Sequence, residues 1–155
     1  LHLKNTDFIE TYSRIADQYA VPHELIEVEL TENIVFEDVT SLTAIIKAIQ
    51  AAGFWCSTDD FGSGYSSLNL IQDIPVDTLK LDKIFFRNTR DLCRSESVIG
   101  SVITMSKALC METVAEGVEQ RIQVDMLKRL KCDYIQGYFF AKPMPVNEFE
   151  HLAFE

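Results

Sequence analysis

Short apolar runs alternate with segments of helical period along the whole chain, and this alternation limits the fold more than any other feature of the sequence. Strand-like runs that each lead into a helix-like segment build parallel sheets whose strands are joined by crossover helices. Thr6 to Tyr19 spaces Phe8, Ile9, Tyr12, Ile15, Ala16 and Tyr19 along a helix, with Asn5 or Thr6 placed to cap it. LIEVEL, Leu25 to Leu30, follows as a strand. Val39 to Ala52 is expected as a helix with Leu42, Ile45, Ile46 and Ile49 inward, stopped by Gly53, and Phe54 to Asp60 as the next strand. Beyond a loop holding Gly62 and Gly64, a short helix runs through Leu68 to Ile71, and Pro75 precedes a strand from Thr78 to Asp82. Ser97 to Leu109 reads as a long helix, Thr113 to Gly117 as a strand, Gln120 to Leu130 as a helix and Tyr134 to Tyr138 as a strand. Pro143 and Pro145 punctuate the chain before a last helix near Val146 to Ala153.

These are five βα units of the α/β class, with no linker or low-complexity segment between them. A polar residue closes the strand in every unit: Glu29, Asp59 with Asp60, Lys80, Glu116 and Gln136. In a barrel of such units the strand ends form one rim, and active sites of the (β/α)8 fold sit there. Single acidic strand ends are usually edges or helix caps, but a succession of them points to chemistry. Five units cannot close an eight-stranded barrel, which needs about 250 residues. An open sheet with bare edges is a pairing hazard. Either the parent is longer or copies associate. The chain opens in mid-pattern on Leu1, so the expectation is a fragment, residues 1–155 being one partial domain.

Charge and cysteine usage exclude several classes of function. The formal net charge is −10, which repels a nucleic-acid backbone, although cations held between carboxylates and phosphates can still bring a phosphorylated ligand to an acidic protein. Cys56, Cys93, Cys110 and Cys132 show no CxxC spacing, and His2, His23 and His151 form no HxxxH or HExxH pattern. Neither a Cys/His zinc site nor disulfides are expected, and free thiols suit a reducing cytoplasm. No apolar run approaches the roughly 18 to 20 residues that cross a bilayer.

Asp59 and Asp60 are adjacent at a strand end and are followed by FGSG. Neighbouring strand residues point to opposite faces, so both reach one site only where the strand ends. Their hard oxygens suit Mg²⁺, Mn²⁺ or Ca²⁺. The competing reading makes Asp60 a turn cap. Lys80, in PVDTLKLD, can orient a water or act as a base if its pKa falls; alternatively it snorkels from the strand end. Asp82 shares its face and is placed to hold it. Glu116 ends a strand in VAEGVE, whereas Glu119 sits where acidic residues favour a helix N-terminus. Glu29 and Glu32 in ELTE divide in the same way, and Gln136 in IQGY is a candidate positioning residue.

ELTE, DDFGSGYSSL, IPVDTLKLD, VAEGVE and IQGYFFAKPM occur in the order and spacing of the EAL-domain family, which the chain resembles over nearly its whole length. The resemblance implies a TIM-like (β/α)8 barrel that opens cyclic di-GMP to linear pGpG with Mg²⁺ or Mn²⁺, two ions in the complete domain, Ca²⁺ inhibiting. It implies Glu29, Asp59 and Asp60 as metal ligands and Lys80 as the contact to the attacking water. Glu116 matches a base or second-metal ligand, Glu32 and Glu119 match residues that hold the loop after Asp60 or neighbouring groups, and Gln136 matches a residue near the water or metal. It further implies a cytoplasmic homodimer, often fused to GGDEF or sensory domains, with a parent tethered to the membrane where upstream regions supply an anchor. The name-giving Glu-Ala-Leu segment and a metal-binding asparagine are expected before Leu1, so this chain alone is expected to hydrolyse nothing. A non-catalytic cyclic di-GMP receptor or protein-interaction module is the rival reading, and a carboxylate-and-lysine barrel acting on carbon acids fits the strand ends but not the loops.

Overall fold

A computed structural model describes residues 7–31, 39–62, 68–87 and 92–154. Its elements in chain order are α1 (Asp7–Gln18), a 3-10 turn (His23–Leu25), β1 (Glu27–Thr31), α2 (Val39–Ala51), β2 (Trp55–Phe61), α3 (Leu68–Asp73) and β3 (Thr78–Leu81). There follow α4 (Ile84–Arg87), α5 (Leu92–Ala108), β4 (Glu112–Ala115), α6 (Arg121–Arg129), β5 (Tyr134–Ile135) and α7 (Val146–Phe154). The five strands form one sheet in the order β1-β2-β3-β4-β5, every neighbouring pair parallel. Sequence order and spatial order coincide, as in a run of βα units from a barrel wall.

Helices pack on one face of this sheet and an open concavity occupies the other. Cys56, Leu79, Leu81, Thr113 and Ala115 are fully buried together with Leu42, Ile46 and Ile49 of α2, Ile99 and Ile103 of α5 and Leu127 of α6. Alternate strand residues point the other way, because side chains of a strand change face at every residue. Glu27, Glu29, Trp55, Thr78, Lys80 and Val114 therefore line a concavity of roughly 740 Å³. The central strand β3 is buried at all four residues. Trp55 and Tyr134 remain substantially exposed in the concavity. No helix among the described residues is long and apolar enough to cross a membrane.

Four helix ends use a left-handed residue, and only one of these is glycine. Gly53 at φ 89° ends α2, while Ala20 (52°), Cys110 (61°) and Lys131 (60°) end α1, α5 and α6. Each return is tied by a backbone bond to the preceding helix, such as Val21 N–H to Ala16 O at 2.9 Å and Met111 N–H to Ser106 O at 2.9 Å.

His23 pins the approach to β1. Its ring stacks on Phe54 at 4.7 Å, with Nδ1 2.7 Å from Ala52 O and Nε2 3.2 Å from Asp17 Oδ1. The bond to Ala52 O is the main force raising its pKa above the ordinary histidine value, partial burial opposes the rise, and the Asp17 charge adds to it. A raised folded-state pKa means that this pin stabilises fully below the unfolded value, about pH 6.5, and fades as pH rises through the folded value. The stability difference between wild type and His23→Gln, from urea melts, is therefore expected to be larger at pH 6 than at pH 8.

Candidate active site

Lys80 gathers the strand-end residues. Its side chain leaves the buried central strand with only 7% exposure, so the ammonium needs anionic partners in place of water. Nζ lies 2.5 Å from Glu29 Oε1 on β1, 2.6 Å from Glu116 Oε1 just past β4, and 3.8 Å from Asp59 Oδ1 on β2. Glu116 is held there by its own amide, which donates to Leu81 O at 3.0 Å. The carboxylates are more open than the lysine, Glu29 at 48%, Asp59 at 23% and Glu116 at 21% side-chain exposure, so the cluster faces solvent from its acidic side. Burial by itself lowers the Lys80 pKa, but hydrogen bonds and charge from Glu116 and Glu29 outweigh it and leave the value above that of an ordinary lysine. In this arrangement Lys80 is a cation and hydrogen-bond donor to its carboxylates.

A bulge falls at the aspartate pair, near the end of β2. Thr58 pairs with Leu79 but Phe61 pairs with Leu81, so β2 carries one residue more than β3 between these pairs. The extra residue falls at Asp59–Asp60 and breaks the strict alternation of faces. The sequence reading expected the strand to stop at Asp60; it continues through Phe61. The Asp60 side chain and Glu32 lie outside the described residues.

Gln136 follows β5, its amide donating to Ala115 O at 2.8 Å and its side chain lining the same concavity as Glu29 and Lys80. Asp82 does a different task from the one expected of it. Its Oδ1 accepts the Ile84 N–H at 2.7 Å and so caps α4, while the ion pairs of Lys80 among the described residues go to Glu29, Asp59 and Glu116. Glu119 is exposed just before α6, where its amide donates to Gln123 Oε1 at 2.9 Å. Ser57 and Thr58, directly before Asp59, bury hydroxyls that find no hydrogen-bond partner among the described residues. Nothing in a run of strand residues marks such orphans.

Among the described residues no three His, Cys, Asp or Glu side chains form a ready cation cage. The Lys80 ammonium lies between the carboxylates and serves as their counter-charge. The donor set nevertheless fits a hard divalent cation: partly exposed carboxylate oxygens, without sulfur or imidazole.

The sequence profile of the EAL domain matches residues 1–143. Signaling protein YkoW of Bacillus subtilis is 34% identical over 152 residues, which are 98% of this chain and 19% of YkoW. Cyclic di-GMP phosphodiesterase PA2567 of Pseudomonas aeruginosa is 30% identical over 96% of this chain and 25% of its own length. The chain thus spans a fifth to a quarter of these relatives. The crystal structure of the EAL domain of Mycobacterium smegmatis DcpA superposes with a TM-score of 0.88 at 31% identity, covering 97% of this chain and 67% of that one. Klebsiella pneumoniae BlrP1, solved as a manganese and cyclic di-GMP complex, superposes at 0.79 with 26% identity over 90% of this chain and 36% of its own. The five-stranded sheet is accordingly a portion of a TIM-like barrel, and the chain belongs to the EAL domain family.

Proposed function

We propose that this chain forms part of a divalent-cation-dependent phosphodiesterase domain that hydrolyses cyclic di-GMP to linear pGpG. The observation that carries the reading is the Lys80 ammonium fixed between Glu29, Asp59 and Glu116 on the solvent-facing rim of the sheet. Relatives that bind or cleave cyclic di-GMP by name support the choice of substrate.

In this reading Glu29, Asp59 and Asp60 hold the cation. Mg²⁺ or Mn²⁺ there supplies neutralisation of phosphate charge and a lower pKa for a reacting water. Lys80, kept protonated by its carboxylates, donates toward a water or a phosphate oxygen and costs no reorganisation during the reaction. Glu116 accepts from Lys80, fixes its reach, and has a second oxygen left to accept a proton. Gln136 offers an uncharged amide at the same concavity. The chain covers 67% of the solved DcpA EAL domain, so we assign activity to a complete domain carrying the further ligands, not to these residues in isolation.

Incubation of the complete domain with cyclic di-GMP and Mn²⁺, followed by chromatography of the nucleotides, tests the assignment. Accumulation of pGpG is the expected result. Tight binding without product by a folded domain would overturn it and make this a receptor.

A further inference from the structure

We propose that Phe85 is a positioning residue for the Asp59–Asp60 bulge, an inference that rests on the phosphodiesterase reading for its activity measurement. A bulge frees backbone from the ladder, so something must fix its far end if Asp59 is to stay within reach of Lys80. The ladder does this weakly. Phe61 pairs with Leu81, but the next bond, from Asp82 N–H to Phe61 O, is long at 3.4 Å.

The stronger constraint is the Phe85 ring. It stacks on Phe61 with centroids 6.2 Å apart and planes at 20°. It also lies against Gly62, so close that a Cβ there would sit 2.3 Å from Phe85 Cε2 and 2.5 Å from Cζ. Gly62 turns at φ +98°, which side-chain-bearing residues rarely adopt. The chain therefore leaves the bulge by folding its backbone directly under this ring.

Phe85 is itself aimed by a short, well-bonded turn. Asp82 Oδ1 accepts from Ile84 N–H at 2.7 Å, and Asp82 O accepts from Phe85 N–H at 3.1 Å. The capping role of Asp82 thus reaches the site through Phe85. Phe85 also borders a cavity of roughly 230 Å³ shared with Phe86, Ile99, Ile122 and Met126. A side chain withdrawn from Gly62 has space to enter, so a shorter residue at this position releases the far end of the bulge without collapsing the core.

The test compares Phe85→Leu with Phe86→Leu in the complete domain. Phe86 comes from the same helix and is more deeply buried, but the three atoms nearest a Cβ at Gly62 all belong to Phe85. Mn²⁺ affinity, read from the electron paramagnetic resonance of free Mn²⁺, is expected to weaken about tenfold in Phe85→Leu, in the range found when support behind a metal ligand is lost. Its kcat for cyclic di-GMP should fall with KM within roughly threefold, and Phe86→Leu should stay within about twofold of wild type in both. If Phe85→Leu does not fold, Phe85→Met keeps more of the volume and is read in the same way. Wild-type Mn²⁺ affinity in a folded Phe85 variant, or an equal loss in Phe86→Leu, would overturn the proposal. Failure of the wild-type domain to make pGpG would sink the phosphodiesterase reading alone, and the Mn²⁺ comparison would still decide the role of Phe85.

Discussion

Lys80→Met is expected to lower cyclic di-GMP turnover by the complete domain by at least about a hundredfold, the typical effect of removing one preorganised donor or proton-transfer group. The same substitution should destabilise the cation-free protein. It deletes a positive charge held 2.5 and 2.6 Å from two carboxylates and 3.8 Å from a third. Breaking a fully buried pair costs about 3 to 5 kcal/mol. Glu29 in particular can hydrate, being 48% exposed, so a loss of roughly 2 kcal/mol is the expected figure after allowing for solvent screening.

The sign of the pH dependence follows from the raised Lys80 pKa. A folded-state value above the unfolded one makes the contribution complete below about pH 10, and it fades only as pH rises through the folded value. The stability loss in Lys80→Met should therefore be constant across the neutral range. Divalent cations should stabilise the variant more than wild type, because in the variant no ammonium competes for the carboxylates. Thermal melts with and without Mn²⁺ check this, and equal shifts in the two proteins would contradict Lys80 as the resident counter-charge.

Gly137→Ala should be severely damaging for the addition of a single methyl. A Cβ at that position would lie 2.1 Å from Val118 O and 2.3 Å from Val118 N. The backbone cannot simply draw apart, because Val118 N–H donates to Gln136 O at 3.1 Å and Val118 O accepts from Phe139 N–H at 3.0 Å. One added methyl thus sets overpacking against two hydrogen bonds, an expected loss of about 3 kcal/mol in urea unfolding. The displaced segments carry Glu116 and Gln136, so turnover should fall as well. Gly100→Ala is the contrast. Its Cβ would meet only Leu130 Cδ2, at 3.0 Å, the end of a flexible side chain. Alanine is the better helix former by about 1 kcal/mol, so this change should be neutral or stabilising.

The order of elements was legible because period-2 and period-3.6 patterns are local properties of the chain. Boundaries were legible only where a breaker stood. Gly53 marked the end of α2, but Ala20, Cys110 and Lys131 do the same work with residues that signal nothing. The α5 helix begins at Leu92 rather than Ser97; Arg94, Ser95 and Glu96 interrupt its apolar stripe and hide its first turn from the periodic pattern. Four residues of α4 are too few to show a period. The expected strand from Tyr134 to Tyr138 keeps only two ladder residues before Gly137 turns against Val118.

The candidate site divides along the same line. Motifs and strand ends picked out Glu29, Asp59, Lys80, Glu116 and Gln136, since the chemistry of a residue and its place at the end of a strand are both written locally. What only the tertiary structure decided is who holds whom. Lys80 reaches Glu29 across 51 residues of chain and past the whole of β2, whereas Asp82, two residues away and the nearer candidate in sequence, turns to cap α4. The bulge at Asp59–Asp60 exists only as a mismatch between two strands. A single strand carries no register, and a buried ammonium selects its partners by distance through space; neither quantity is defined until the sheet has formed.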